Sequence, residues 1–169
     1  TVVLLYNTSC IYEIVILNYF LHFTGKKVRF ASIDGKPITA MEGYSINVDA
    51  KLSDIDVNNL ELFIVPGGNI QEIDVPEVWD YLKDIHANDK LIAAICAGVD
   101  VLDHAGILED ILSTHSSELD VVVSDKVITS RANGYVDFAI EVAKKMDLFV
   151  DEEDIRETIS FWKNYQRMQ

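Results

Sequence analysis

Basic residues are scarce in this chain of 169 residues: 14 Lys and Arg stand against 28 Asp and Glu, a formal net charge of −14. Nucleic acids and anionic membrane surfaces are recognised by clustered Lys and Arg, so neither is expected as a partner. A small-molecule substrate stays open, because local groups set the field inside a cleft. Cysteine is scarcer still. Cys10 and Cys96 make no disulfide framework. No basic n-region with a cleavage site is visible, so a reducing cytoplasm is the expected setting. The four histidines, His22, His86, His104 and His115, are scattered, and neither CxxC nor HExxH occurs, so no metal site is expected. There is no GxGxxG and no Walker loop, so no nucleotide or other cofactor is expected. The longest nearly uncharged run, Cys10–Gly25, is interrupted by Glu13, Asn18 and His22 and is too short and too polar for a good membrane span.

What is present reads as one domain over residues 1–169, with hydrophobic content of 49% and charged content of 25%. Apolar runs at 1–6, 27–33, 60–65 and 91–95 read as strands. Helical patterns at 10–24, 76–88, 97–105, 133–146 and 152–165 alternate with them, and 119–124 with 126–130 reads as a hairpin. The architecture expected is α/β, a parallel sheet sandwiched by helices in three layers. The helix predicted over Cys10–Thr24 is apolar on nearly its whole circumference, which implies deep burial or a face shared with a partner subunit.

The chain is organised around residues 90–106. Leu91–Ile95 is wholly apolar, a helix is predicted directly after it, and Cys96 sits at the junction. At the carboxyl end of a strand in an open α/β sheet, that side chain faces the binding crevice. The spacing Ala94-x-Cys96-x-Gly98 is that of a nucleophile elbow. Helix amides are expected to acidify a thiol so placed. The other reading is a small residue used for packing. Glu13, the only charge in the first predicted helix, is either a carboxylate set against the helix N-terminus or a carboxyl pointing into the crevice with a raised pKa. Pro66-Gly67-Gly68-Asn69 ends a strand, and its small residues let backbone approach a ligand, which makes Gly67 and Asn69 candidate substrate contacts.

Together, Val65-Pro66-Gly67-Gly68, the segment Ala93–Gly98, Thr114-His115 and Ile128–Arg131 resemble the ThiJ/PfpI superfamily over roughly residues 1–147. The resemblance implies a flavodoxin-like fold shared with class I glutamine amidotransferase domains. It also implies that a protonated Glu13 donates a hydrogen bond to a Cys96 thiolate and that His115 approaches the sulfur. Ala97 follows the cysteine where the protease-like branch has His, so a peptidase or amidase is less favoured. Isocyanide hydratases typically have Thr there. The pattern is most similar to the ThiJ-like branch that includes Parkinson disease protein seven.

The activity this implies is cysteine-dependent and directed at small reactive carbonyls, glyoxalase or deglycase in type. Cys96, Glu13 and His115 would be catalytic, with the N–H groups of Gly68 and Ala97 as oxyanion hole. The alternatives are an oxidative-stress sensor or chaperone without turnover, and an amidase, peptidase or isocyanide hydratase. A homodimer is implied. Two departures stand out: Ser116–Lys126 is shorter than the branch usually has, implying a trimmed loop or missing residues, and Met41–Tyr44 offers no arginine for an anion.

Overall fold

Val2–Leu4 (β1), Leu62–Val65 (β6) and Leu91–Ile95 (β7) are buried throughout, as strands covered on both faces must be. In the computed structural model, which describes residues 1–167, they form the centre of a seven-stranded sheet. The flanking strands are Arg29–Ser32 (β2), Ala50–Lys51 (β5), Val121–Ser124 (β8) and Val127–Ser130 (β9). A separate two-stranded ribbon pairs Ile38–Thr39 (β3) with Ser45–Ile46 (β4). The order is β5-β2-β1-β6-β7-β9-β8, parallel except for β8, which pairs antiparallel with β9. The predicted hairpin is thus present, with Asp125 at φ 46° in its turn.

Alternate strand residues divide the core in two. Val2, Leu4, Phe63, Val65, Ile92 and Ala94 pack with Pro76–Ala87 (α2) and Gly98–His104 (α3). Val3, Leu62, Ile64, Leu91, Ala93 and Ile95 pack with Val15–Phe23 (α1), Tyr135–Lys145 (α4) and Glu152–Trp162 (α5). This period-two division makes a three-layer sandwich of the flavodoxin-like kind. From β1 the chain builds outward to β2 and β5, then returns to lay β6 on the other side of β1. The order reverses between β1 and β6, where ligands bind such sheets.

The first helix differs from the expectation of one continuous run over Cys10–Thr24. Ile11–Glu13 is a 3₁₀ turn, and the α-helix begins only after Ile14 (φ −118°). The tighter turn carries the Glu13 carboxyl inward, which a uniform helix from Cys10 would not require. Glu13 is 1% exposed, whereas the adjacent Tyr12 is 47% exposed. The C-terminal helix covers the core through Ile159 and Trp162, and Trp162 meets Tyr19 and Phe20 of α1.

Candidate active site

Three adjacent parallel strands deliver the site from their carboxyl ends. β1 leads into Tyr6–Glu13, β6 into Pro66–Asn69 and β7 into Cys96. Cys96 has φ 57°, in the left-handed region where a side chain is strained. Such strain costs on the order of 1–3 kcal/mol and concentrates where function demands it. The Cys96 N–H donates to Ser130 O at 2.9 Å and its carbonyl accepts from Val99 N at 3.1 Å, so the turn is held from both sides. The strand-to-helix elbow expected from the sequence is present, and Cys96 is half-buried.

Gly67 separates the sulfur from the carboxyl. A Cβ placed on Gly67 would stand 2.6 Å from Cys96 Cβ, 2.9 Å from Sγ and 2.8 Å from Glu13 Oε2, so only glycine fits between them. The Gly67 N–H donates to Glu13 Oε2 at 2.7 Å. Glu13 Oε1 is buried without a hydrogen bond of full geometry, although the Cys96 thiol and the Tyr12 hydroxyl both ease ionisation of the carboxyl. Burial outweighs those contacts and raises the Glu13 pKa above the usual carboxylate range.

The expected acidification of Cys96 is not found. Burial first, and then the Glu13 charge, push the thiol up to about 11, while the Ala97 N–H acts in the opposite direction. The helix behind the elbow is only seven residues long, and its amides do not overcome desolvation plus a neighbouring carboxylate. A neutral Glu13 removes the repulsion. The two groups therefore titrate as a pair.

The remaining candidates separate. The Ala97 N–H favours the thiolate form of the sulfur. The amide of Gly67, expected to meet substrate, is committed to Glu13. Asn69 also serves the fold: its N–H donates to Thr8 Oγ1 at 3.0 Å and its Oδ1 accepts from Gln71 N at 3.5 Å. Gly68 has φ 139° and lies so close to the Thr8 carbonyl that no side chain would fit. His115 is exposed, with Nε2 3.0 Å from Asp100 Oδ1 and Nδ1 3.5 Å from Asp103 Oδ2. Its ring thus meets two carboxylates of α3, Asp100 and Asp103. His104, a structural residue, pairs with Asp74.

Other residues build the site without an obvious sequence signal. The Tyr6 hydroxyl donates to Pro66 O at 2.9 Å, bracing the Gly67-Gly68 turn from below. Thr8 adopts φ 72° to bring its hydroxyl to Asn69. Glu42 Oε1 accepts the Tyr12 N–H at 2.8 Å, and its charge adds to the upward push on Glu13. Asp100, in the first turn of α3, also raises the thiol pKa. An apolar groove of about 380 Å³, lined by Tyr19, Phe23, Phe161 and Trp162 among others, lies between α1 and α5, apart from these residues. Among the described residues no group of three His, Cys, Asp or Glu side chains is arranged to hold a metal ion. No helix among them is long and apolar enough to cross a membrane.

Comparison with known proteins bears on the family and the fold. The glutathione-independent glyoxalase DJR-1.2 of Caenorhabditis elegans is 28% identical over 151 residues, covering 80% of this chain and 81% of the relative. The deglycase TK1284 of Thermococcus kodakarensis is 31% identical over 87 residues, covering 50% of this chain and 52% of the relative. Among solved structures, the DJ-1 superfamily protein Atu0886 from Agrobacterium tumefaciens superposes with a TM-score of 0.87 at 22% identity over 98% of each chain. A thiJ/pfpI family protein from Bacillus anthracis gives 0.88 at 20% identity, over 98% of this chain and 91% of the other. The structural likenesses carry the fold. The DJ-1/PfpI family profile matches residues 1–145, a span that takes in Glu13, Gly67 and Cys96 alike, and the chain belongs to the DJ-1/PfpI family.

Proposed function

We propose that the protein is a cysteine-dependent enzyme acting on small reactive carbonyls, glyoxalase- or deglycase-like in type. The observation that carries this is the close set of Cys96 at a strained elbow, Gly67, and the buried Glu13 carboxyl. A glyoxalase and several deglycases among the relatives support the substrate class, although two other relatives are named as proteases.

In the proposed reaction the Cys96 thiolate adds to the aldehyde carbon of a 2-oxoaldehyde, giving a hemithioacetal. The N–H groups of Gly68 and Ala97 stabilise the oxyanion that forms. Glu13 in its neutral form leaves the thiolate without a competing charge and supplies a proton. A proton then passes from the former aldehyde carbon to the adjacent carbonyl carbon, with Glu13 and His115 as the exchanging groups, and a 2-hydroxyacyl thioester results. Water cleaves the thioester, releasing the hydroxy acid and returning the thiol. His115 acts here from its seat on Asp100, on the helix that begins at the elbow. Incubation with methylglyoxal should yield lactate, and Cys96→Ala should abolish it. Turnover unchanged in that variant would eliminate the mechanism.

The half-exposed thiol also supports a second reading, an oxidation sensor in which a neutral Glu13 hydrogen-bonds to an oxidised Cys96. Peptidase or amidase chemistry has less support, because Ala97 stands where a histidine partner would follow the cysteine. Two free thiols suit a reducing compartment such as the cytoplasm. A homodimer through the first helix is part of the proposal: Tyr12, Val15, Tyr19 and Phe23 are 47%, 50%, 52% and 77% exposed on one stripe. Such a stripe is costly to leave in water. Sedimentation should give twice the mass of the chain, and Val15→Glu with Tyr19→Glu should give the monomer.

A further inference from the structure

We propose that Cys10 is the resolving thiol for Cys96, so that oxidation of the elbow cysteine by a hydroperoxide ends in a Cys10–Cys96 disulfide. The two cysteines lie far apart in sequence, and the fold brings both against one residue. The Cys10 N–H donates to Gly67 O at 2.9 Å. On the other side, a Cβ built on Gly67 would touch Cys96 Sγ at 2.9 Å. Both thiols are free, and the Cys96 charge acts on Cys10 through space. Nothing in the carbonyl chemistry above uses Cys10, yet the fold sets it against the same glycine as Cys96.

The two differ in access and in backbone freedom. Cys96 is half-buried, whereas Cys10 is buried at 9% exposure, so a hydroperoxide meets Cys96 first. Cys10 caps the start of the 3₁₀ turn with extended backbone (φ −81°, ψ 99°), and its side chain makes no capping hydrogen bond. Closing a disulfide requires the Cα atoms to come within about 4.4–6.8 Å of each other.

The chemistry balances in two steps. The Cys96 thiolate attacks the distal oxygen of the hydroperoxide and the O–O bond breaks. Sulfur is oxidised to the sulfenic acid, and the peroxide leaves as alcohol, or as water from hydrogen peroxide, after taking up a proton. The Cys10 sulfur then attacks the sulfenic sulfur. The S–S bond forms as the S–O bond breaks, and the Cys10 proton leaves with the hydroxyl as water. Two thiols have lost two electrons to one peroxide. A dithiol reductant reverses the state by exchange. Burial and the Glu13 charge push the Cys10 thiol up to about 11, so the second step should be slow.

The inference needs an oxidisable Cys96 but not the carbonyl reaction, so absence of lactate formation would leave it standing. Reduced protein is treated with one equivalent of hydrogen peroxide, blocked with N-ethylmaleimide and weighed intact. The expected product has lost two hydrogens, takes no maleimide, migrates as a single chain without reductant and yields one peptide pair joining Cys10 to Cys96. Cys10→Ser and Cys10→Ala should instead carry two oxygens on Cys96 at higher peroxide. Wild-type protein that gains oxygens at Cys96 while Cys10 remains alkylatable would overturn the proposal, as would a disulfide formed only between chains.

Discussion

Glu13 Oε2 accepts the Gly67 N–H at 2.7 Å, which leaves Oε1 as the oxygen free to take a proton. That oxygen is buried and otherwise without a full hydrogen bond. Proton and sulfur are thereby coupled. The carboxyl resists ionisation through burial, and once ionised it opposes the thiolate. In Glu13→Gln the charge is gone and an amide N–H can take the place of the acid proton. The rate of Cys96 alkylation by iodoacetamide should then rise at lower pH than in the wild type, whose thiol is pushed up to about 11. An unshifted profile would refute the coupling. The same change bears on stability. A carboxyl whose folded pKa is raised disfavours the folded state as pH climbs from the ordinary Glu value, about 4.3, through the folded value. Glu13→Gln should remove that decline, read as urea midpoints across the range.

Gly67 meets sulfur and carboxyl at once, so a single methyl group tests the packing of the whole site. Gly67→Ala places Cβ 2.6 Å from Cys96 Cβ, a separation at which something must shift. Overpacking of this kind costs about 1–3 kcal/mol. The expected result is a lower urea midpoint with an unchanged slope. Alkylation of Cys96 should also change, because the elbow or Glu13 must move to admit the methyl. A variant of wild-type stability and wild-type alkylation rate would show that the contact is slack.

Much of this site was legible because its signals are local. Leu91–Ile95 followed by Cys96 and Gly98 marks an elbow within a few residues, and Val65-Pro66-Gly67-Gly68 marks a turn at a strand end. The functional placement of Glu13 came from resemblance, since a lone acid in an apolar helix is equally a dipole partner. The break at Ile14 was hidden because apolar periodicity does not register a change from 3₁₀ to α hydrogen bonding. Asn69 and His115 were read by residue type. The Asn69 backbone N–H meets Thr8 and the His115 ring meets Asp100, partners that only the tertiary fold brings near. The thiol's acidity was misjudged for the same reason. Helix amides are visible in sequence, whereas the burial that outweighs them depends on Gly67 and Glu13 arriving from other strands.

Asp100 connects His115 to the sulfur. It raises the Cys96 pKa, as the smallest of the causes acting on that thiol, and it faces His115 Nε2 at 3.0 Å. Asp100→Asn should move the alkylation profile to lower pH by less than Glu13→Gln does. It should also loosen His115, seen as a changed imidazole chemical shift by NMR. If His115 exchanges protons with the carbonyl adduct, lactate formation should fall several-fold in kcat with little change in KM. Loss in KM alone would place Asp100 in substrate binding and remove His115 from the proposed proton transfer.

Away from the site, His104 offers a pH test of the fold with a definite sign. Its Nδ1 lies 2.9 Å from Asp74 Oδ2 and 3.0 Å from Oδ1, and the hydrogen bond to Asp74 raises the imidazole pKa against an opposing burial effect. Asp74 also accepts the Trp79 Nε1–H at 2.8 Å, tying the loop before α2 to that helix and to the end of α3. A raised histidine pKa means that the folded state binds the proton more tightly. The stabilisation is complete below the unfolded value, about 6.5, and disappears as pH rises through the folded value. Asp74→Asn keeps an acceptor for Trp79 but removes the charge. The difference in urea midpoint between wild type and variant should therefore be largest below pH of about 6.5 and should shrink on the alkaline side. A difference independent of pH would assign the Asp74 contribution to the Trp79 hydrogen bond and leave His104 as a bystander at the surface.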